Sequence, residues 1–91
     1  MPAVHFTVQL PGGETKECYS PSTVIREHFK EGDEMPIGEF VTRSRKALGE
    51  ASERVRMKFG FACSSAASQL AEIEEWSAEY PTDLNIRILR I

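Results

Sequence analysis

PIGEFVTRSRKALGEASERVRMKFGFACSSAASQLAEIEEWSAEY, residues 36–80, is the stretch on which the fold turns. From Pro36 to Phe59 the apolar residues Ile37, Phe40, Val41, Leu48, Ala51, Val55 and Phe59 recur at steps of three and four, which predicts one helix of about six turns with a continuous apolar stripe. Pro36 suits the first turn, and Glu39 lies near the positive end of the helix dipole. Gly60 predicts a left-handed stop, with Phe59 and Phe61 as apolar clamps on either side. Ser64 or Ser65 then caps a second helix. Its stripe is Ala66, Leu70, Ile73 and Tyr80, with Trp76 and Ser77 at the edges and Glu72, Glu75 and Glu79 opposite. A corner this short predicts two antiparallel helices packed side by side.

Upstream, Phe6, Val8 and Leu10 alternate with His5, Thr7 and Gln9, the period of a half-buried strand over residues 3–10. Pro11-Gly12-Gly13 turns the chain, and residues 14–19 return as a hairpin arm. Two registers fit: a two-residue loop puts Thr15, Glu17 and Tyr19 on the face of Phe6, and one more loop residue turns Lys16 and Cys18 inward. Ser20-Pro21-Ser22 predicts a short helix from Pro21 to Lys30, ended at Gly32 and followed by a loop through Met35. Downstream, Pro81-Thr82-Asp83 stops the second long helix, and Asn85–Ile91 is a β-branched run that reads as a terminal strand beside the first. Leu89 and Ile91 then fall opposite Ile86 and Ile88, leaving apolar surface for a partner. The order is ββαααβ. The expected fold class is α+β: a two-layer sandwich of a three-stranded sheet packed on an antiparallel helix pair, plus one short helix, in a single domain spanning residues 1–91.

Ninety-one residues, 41% hydrophobic and 27% charged, give one small core and exclude collagen-like, low-complexity and highly charged disordered chains. No apolar run approaches the ~20 residues needed to span a bilayer, and the N-terminus alternates like a strand, so a cytoplasmic protein is expected. The net charge of −3 is uneven: residues 40–60 sum to +4 and residues 61–83 to −5. Side by side, these segments let Arg43, Arg45, Lys46, Arg54, Arg56 and Lys58 face Glu72, Glu74, Glu75 and Glu79.

No familiar catalytic pattern is present. His5 and His28 have no partner at metal-ligand spacing, so no metal or cofactor is expected; His5 reads as a solvent-facing strand residue and His28 as a helix edge. Neither a nucleophile elbow nor a phosphate loop occurs. A second helix with four glutamates and no lysine or arginine argues against nucleic acid, and the lack of a basic amphipathic helix with bulky anchors argues against a membrane surface. Cys63, Ser64 and Ser65 cluster at a helix start, where free amides can hold an anion and the helix field favours a thiolate. The same residues also serve simply as a buried thiol and two caps.

Cys18-Tyr19-Ser20-Pro21-Ser22, Ser52-Glu53-Arg54-Val55-Arg56 and Phe59-Gly60-Phe61-Ala62-Cys63-Ser64, in this order, resemble the motifs of the small bacterial nitrogen starvation response protein family. The resemblance spans nearly the whole chain. It implies a role in nitrogen metabolism beside a nitrilase-containing gene cluster that also encodes a radical S-adenosylmethionine protein, an acetyltransferase and a flavoprotein. It supplies no catalytic residues. If the first helix crosses the corner end of the helical pair, Tyr19, Ser52, Arg56, Cys63, Ser64 and Ser65 line one pocket. The expected function is a non-enzymatic accessory or regulatory module that binds a protein partner from the cluster and a small anionic metabolite. The alternative is a thiol-dependent enzyme or carrier using Cys63, with Arg56 orienting an anion.

Overall fold

The computed structural model describes residues 3–60 and 64–91. Strands β1 (Val4–Gln9), β2 (Thr15–Ser20), β3 (Glu34–Pro36) and β4 (Asn85–Arg90) and helices α1 (Ile37–Phe59) and α2 (Ser64–Ser77) form an α+β fold. The strand order is β2-β1-β4-β3, antiparallel throughout. The last strand lies beside the first, as expected, but the sheet has four strands and not three. β3 is too short to show a period, and its Glu34-Met35-Pro36 looks like loop sequence; tertiary bonds make it a strand. Gly32 N–H reaches Ile88 C=O and Ile88 N–H reaches Asp33 C=O, both at 2.7 Å. Across this edge Arg87 and Asn85 donate to the Glu34 carboxylate at 2.9 and 3.0 Å. Those bonds, Arg87 first, hold the Glu34 carboxyl below the usual carboxylate range.

The hairpin loop has three residues. Gly13 N–H bonds to Leu10 C=O at 2.9 Å, Leu10 N–H bonds to Glu14 C=O at 2.7 Å, and Gly13 takes φ +92°. This is a turn with proline at its second position and glycine in the left-handed position that follows. Of the two registers the longer loop selects the second: Cys18 pairs with Phe6 and is buried, whereas Tyr19 pairs with His5 on the outer face.

The segment after β2 is a five-residue 3-10 helix, Thr23–Glu27, in place of an α-helix from Pro21 to Lys30. Ser22 Oγ accepts from Val24 N–H at 3.3 Å, and Ser20 Oγ donates to Ser22 C=O at 2.8 Å. Val24, Ile25 and Phe29 are buried. With so few residues the turn is held by these caps and by burial, since an isolated helix this short has no stability of its own.

α1 begins one residue after Pro36 and ends where expected, at Gly60 with φ +86° and its N–H on Arg56 C=O at 2.7 Å. Two of the orphan amides of its first turn are taken up by the loop before β4, Ile37 N–H by Leu84 C=O at 2.9 Å and Gly38 N–H by Thr82 C=O at 3.1 Å. α2 runs back along α1, with Arg45 meeting Glu74 at 3.2 Å. That ion pair is the one crossing between the helices among the described residues. Arg43 pairs instead with Glu39, Arg54 with Glu27 and Arg56 with Glu53, so the expected basic-to-acidic facing is confined to Arg45 and Glu74.

Both helices cover the sheet face bearing Val4, Phe6, Val8, Cys18, Ile86 and Ile88. Four rings tie the layers together: Phe6 to Phe29 at 6.2 Å, Phe29 to Phe40 at 5.2 Å and Phe40 to Trp76 at 6.0 Å between centroids. A bulge in β4 opposite Thr7 and Val8 inserts Leu89 as an extra residue. It rotates the chain so that Ile91 packs against the core, where strict alternation had placed it outside with Leu89.

Candidate functional site

The corner end of the helical pair carries most of the residues singled out from the sequence. Ser52 and Arg56 lie late in α1, and Ser64 and Ser65 open α2. Cys63 lies outside the described residues. Tyr19 is elsewhere: its ring faces His5 at 5.5 Å on the uncovered side of the sheet, because β2 alternates and Cys18 is the inward neighbour. Arg56 is committed locally, its Nε donating to Glu53 Oε2 at 3.0 Å. That bond raises the guanidinium and lowers the carboxyl from their ordinary ranges. Ser52 is half-buried; Ser64 and Ser65 are exposed.

The buried stripe of α1 ends at Ala51. Beyond it, in the last two turns, Met57 is 76% exposed and Phe59 52% exposed. Arg54, Arg56 and Lys58 surround them, with the Lys58 ammonium 5.7 Å from the Phe59 ring centroid. Phe61, the other expected clamp of the corner, lies outside the described residues. Met57 escaped the sequence reading because it lies off the apolar stripe, and that offset was the available signal.

Three surface grooves lie away from this end. One of about 360 Å³ runs between the α1 start and the α2 end, lined by Ile37, Val41, Ser77, Tyr80 and the Arg45–Glu74 pair. A second, also about 360 Å³, borders the hairpin loop, Glu34 and Arg87. The third, about 340 Å³, lies between β2 and α2 and is lined by Lys16, Glu17, Glu72, Glu75, Trp76 and Glu79. Gln69 of α2, almost fully buried, accepts the Tyr19 N–H on Oε1 at 3.0 Å. Gln69 was overlooked as a polar residue in an apolar stripe, although its spacing from Ala66 and Ile73 puts it on that face. Among the described residues no group of three or more His, Cys, Asp or Glu side chains is arranged to hold a metal ion. Among them, too, no helix is long and apolar enough to cross a membrane.

Fold and surface together define a small α+β protein with a four-stranded antiparallel sheet, an apolar and basic helix end, and an acidic groove on the flank. The family model described as "Nitrogen starvation-induced protein NitG" matches residues 5–91, and the chain belongs to that family. No curated protein and no solved structure matches it.

Proposed function

We propose that this protein is a non-enzymatic accessory or regulatory module of the nitrogen starvation response, and that it works by binding a protein partner at the corner end of its helical pair. Family membership supports the nitrogen-related role. The observation that carries the binding role is the exposure of Met57 and Phe59 beyond Ala51, the last buried residue of α1. Burying the part of these side chains still exposed contributes about 1–2 kcal/mol each, enough to make two of them the centre of an interface. The surrounding Arg54, Arg56 and Lys58 call for an acidic rim on the partner. Lys58, with Ser64 and Ser65, would hold a small anionic metabolite, joined by Arg54 and Arg56 only if they leave Glu27 and Glu53.

The test is co-purification of tagged wild-type protein and a Met57→Glu, Phe59→Glu variant from nitrogen-starved cells, with the products of neighbouring genes examined first. A partner retained by the wild type and lost from an equally stable variant is the expected result. Retention by both removes the helix end from the interface. A thermal-shift screen of anionic nitrogen metabolites tests the second element, since a specific ligand raises the melting temperature by mass action.

A further inference from the structure

We propose that the groove between β2 and α2 accepts an extended basic peptide segment of a partner protein, added as a fifth strand on the outer edge of β2. The ladder pattern supplies the first argument. Leu10 and Glu14 are a hydrogen-bonded pair, and Tyr19 N–H points away from β1 to Gln69. Antiparallel pairs alternate, so Val8–Lys16 and Phe6–Cys18 face one another through hydrogen bonds, and the N–H and C=O groups of Thr15 and Glu17 point outward. β2 is an edge strand, and those groups form a template for another strand.

The head of that edge is already bonded as an added strand would bond it. The Gln69 side-chain amide takes the Tyr19 N–H, is only 8% exposed, and leaves its Nε2 donors without a partner among the described residues.

Charge and shape name the occupant. The groove wall carries Glu72, Glu75 and Glu79 on α2, against the single cation Lys16, which is bound to Glu14 at 3.2 Å; Glu17 borders it from β2, its carboxylate taking the Thr7 hydroxyl at 2.9 Å on the uncovered face. Glu72, Glu75 and Glu79 make no ion pair among the described residues, so the groove presents uncompensated negative charge around the Trp76 ring. Side chains of an added strand alternate between the two sheet faces. Lysine or arginine at every second position would meet the α2 carboxylates, and one of them would lie over Trp76.

Trp76 is the only tryptophan of the chain and reports on the groove directly. The probe is an end-capped hexapeptide alternating valine and lysine, titrated into the intact protein at low salt while Trp76 fluorescence and amide exchange are followed. A saturable fluorescence change with slowed exchange at the Thr15 and Glu17 amides is expected. A Glu72→Gln, Glu75→Gln variant of unchanged melting temperature should bind on the order of tenfold more weakly. N-methylation of the peptide amides on the edge-facing side should weaken binding by a similar factor while leaving the charge intact. Absence of saturable binding, or equal binding of the methylated peptide, overturns strand addition. The Met57→Glu, Phe59→Glu variant should bind the peptide as the wild type does, so this proposal and the helix-end reading fail separately.

Discussion

Cys18 shows how one residue reports on the register of a hairpin. It is buried opposite Phe6, and burial, with the negative charges of Glu17 and Glu72, pushes its thiol from about 9.0 up to about 12. Below pH 9 the folded and unfolded chains both keep the proton; from about 9 to about 12 the unfolded chain gives it up while the folded chain retains it. Stability should therefore fall as pH rises through that window, and a Cys18→Ala variant should lose this part of the alkaline slope when urea midpoints are measured from pH 8 to 11. At neutral pH a thiol reagent should label the native chain at one of its two cysteines at most, the second only on unfolding. Ser44 makes the complementary case. Its hydroxyl is buried and unpartnered among the described residues, so Ser44→Ala should leave stability unchanged or raise it by about 1 kcal/mol by urea denaturation. Ser22→Ala, which removes the Val24 cap, should cost about 1 kcal/mol.

Glycines in and at the end of α1 separate local from tertiary causes at the level of the element. Gly49 lies inside the helix with open space where a Cβ would be, and Gly49→Ala should stabilise by about 0.5–1 kcal/mol. Gly60 holds φ +86°, and Gly60→Ala should cost about 1 kcal/mol; paired thermal melts of the two variants give opposite shifts if the corner is as described. The long helix and its glycine stop were legible because propensity, periodicity and a stop signal agree over many residues. β3 and the 3-10 turn were not, since three or five residues carry no period and their conformations are set by bonds to Ile88, Asn85 and Ser20, which are remote or context-dependent. The Leu89 bulge was hidden for a related reason: strict alternation is the only rule a sequence offers within a strand, and a bulge breaks it without a local marker.

For the whole molecule, the three sequence motifs locate the ends of elements better than they locate chemistry. Two of them meet at the corner of the helical pair, whereas Tyr19, in the third, is turned outward by the hairpin register. Spacing could put Ser52 and Arg56 on one flank of a helix; it could not show that Glu53 takes the Arg56 guanidinium. Nor could it show that the buried stripe of α1 stops at Ala51 and leaves Met57 and Phe59 largely exposed, because how far α1 extends past the sheet depends on where α2 and the strands end. The measurement that bears most directly on the proposed role is photocrosslinking in nitrogen-starved cells from a reactive side chain placed at Met57, compared with the same group at exposed Glu31. A single adduct of defined mass from position 57, absent from position 31 and abolished by Phe59→Glu, is the predicted outcome. Equal, heterogeneous labelling from both positions, or none from either, would contradict a partner docking on the helix end.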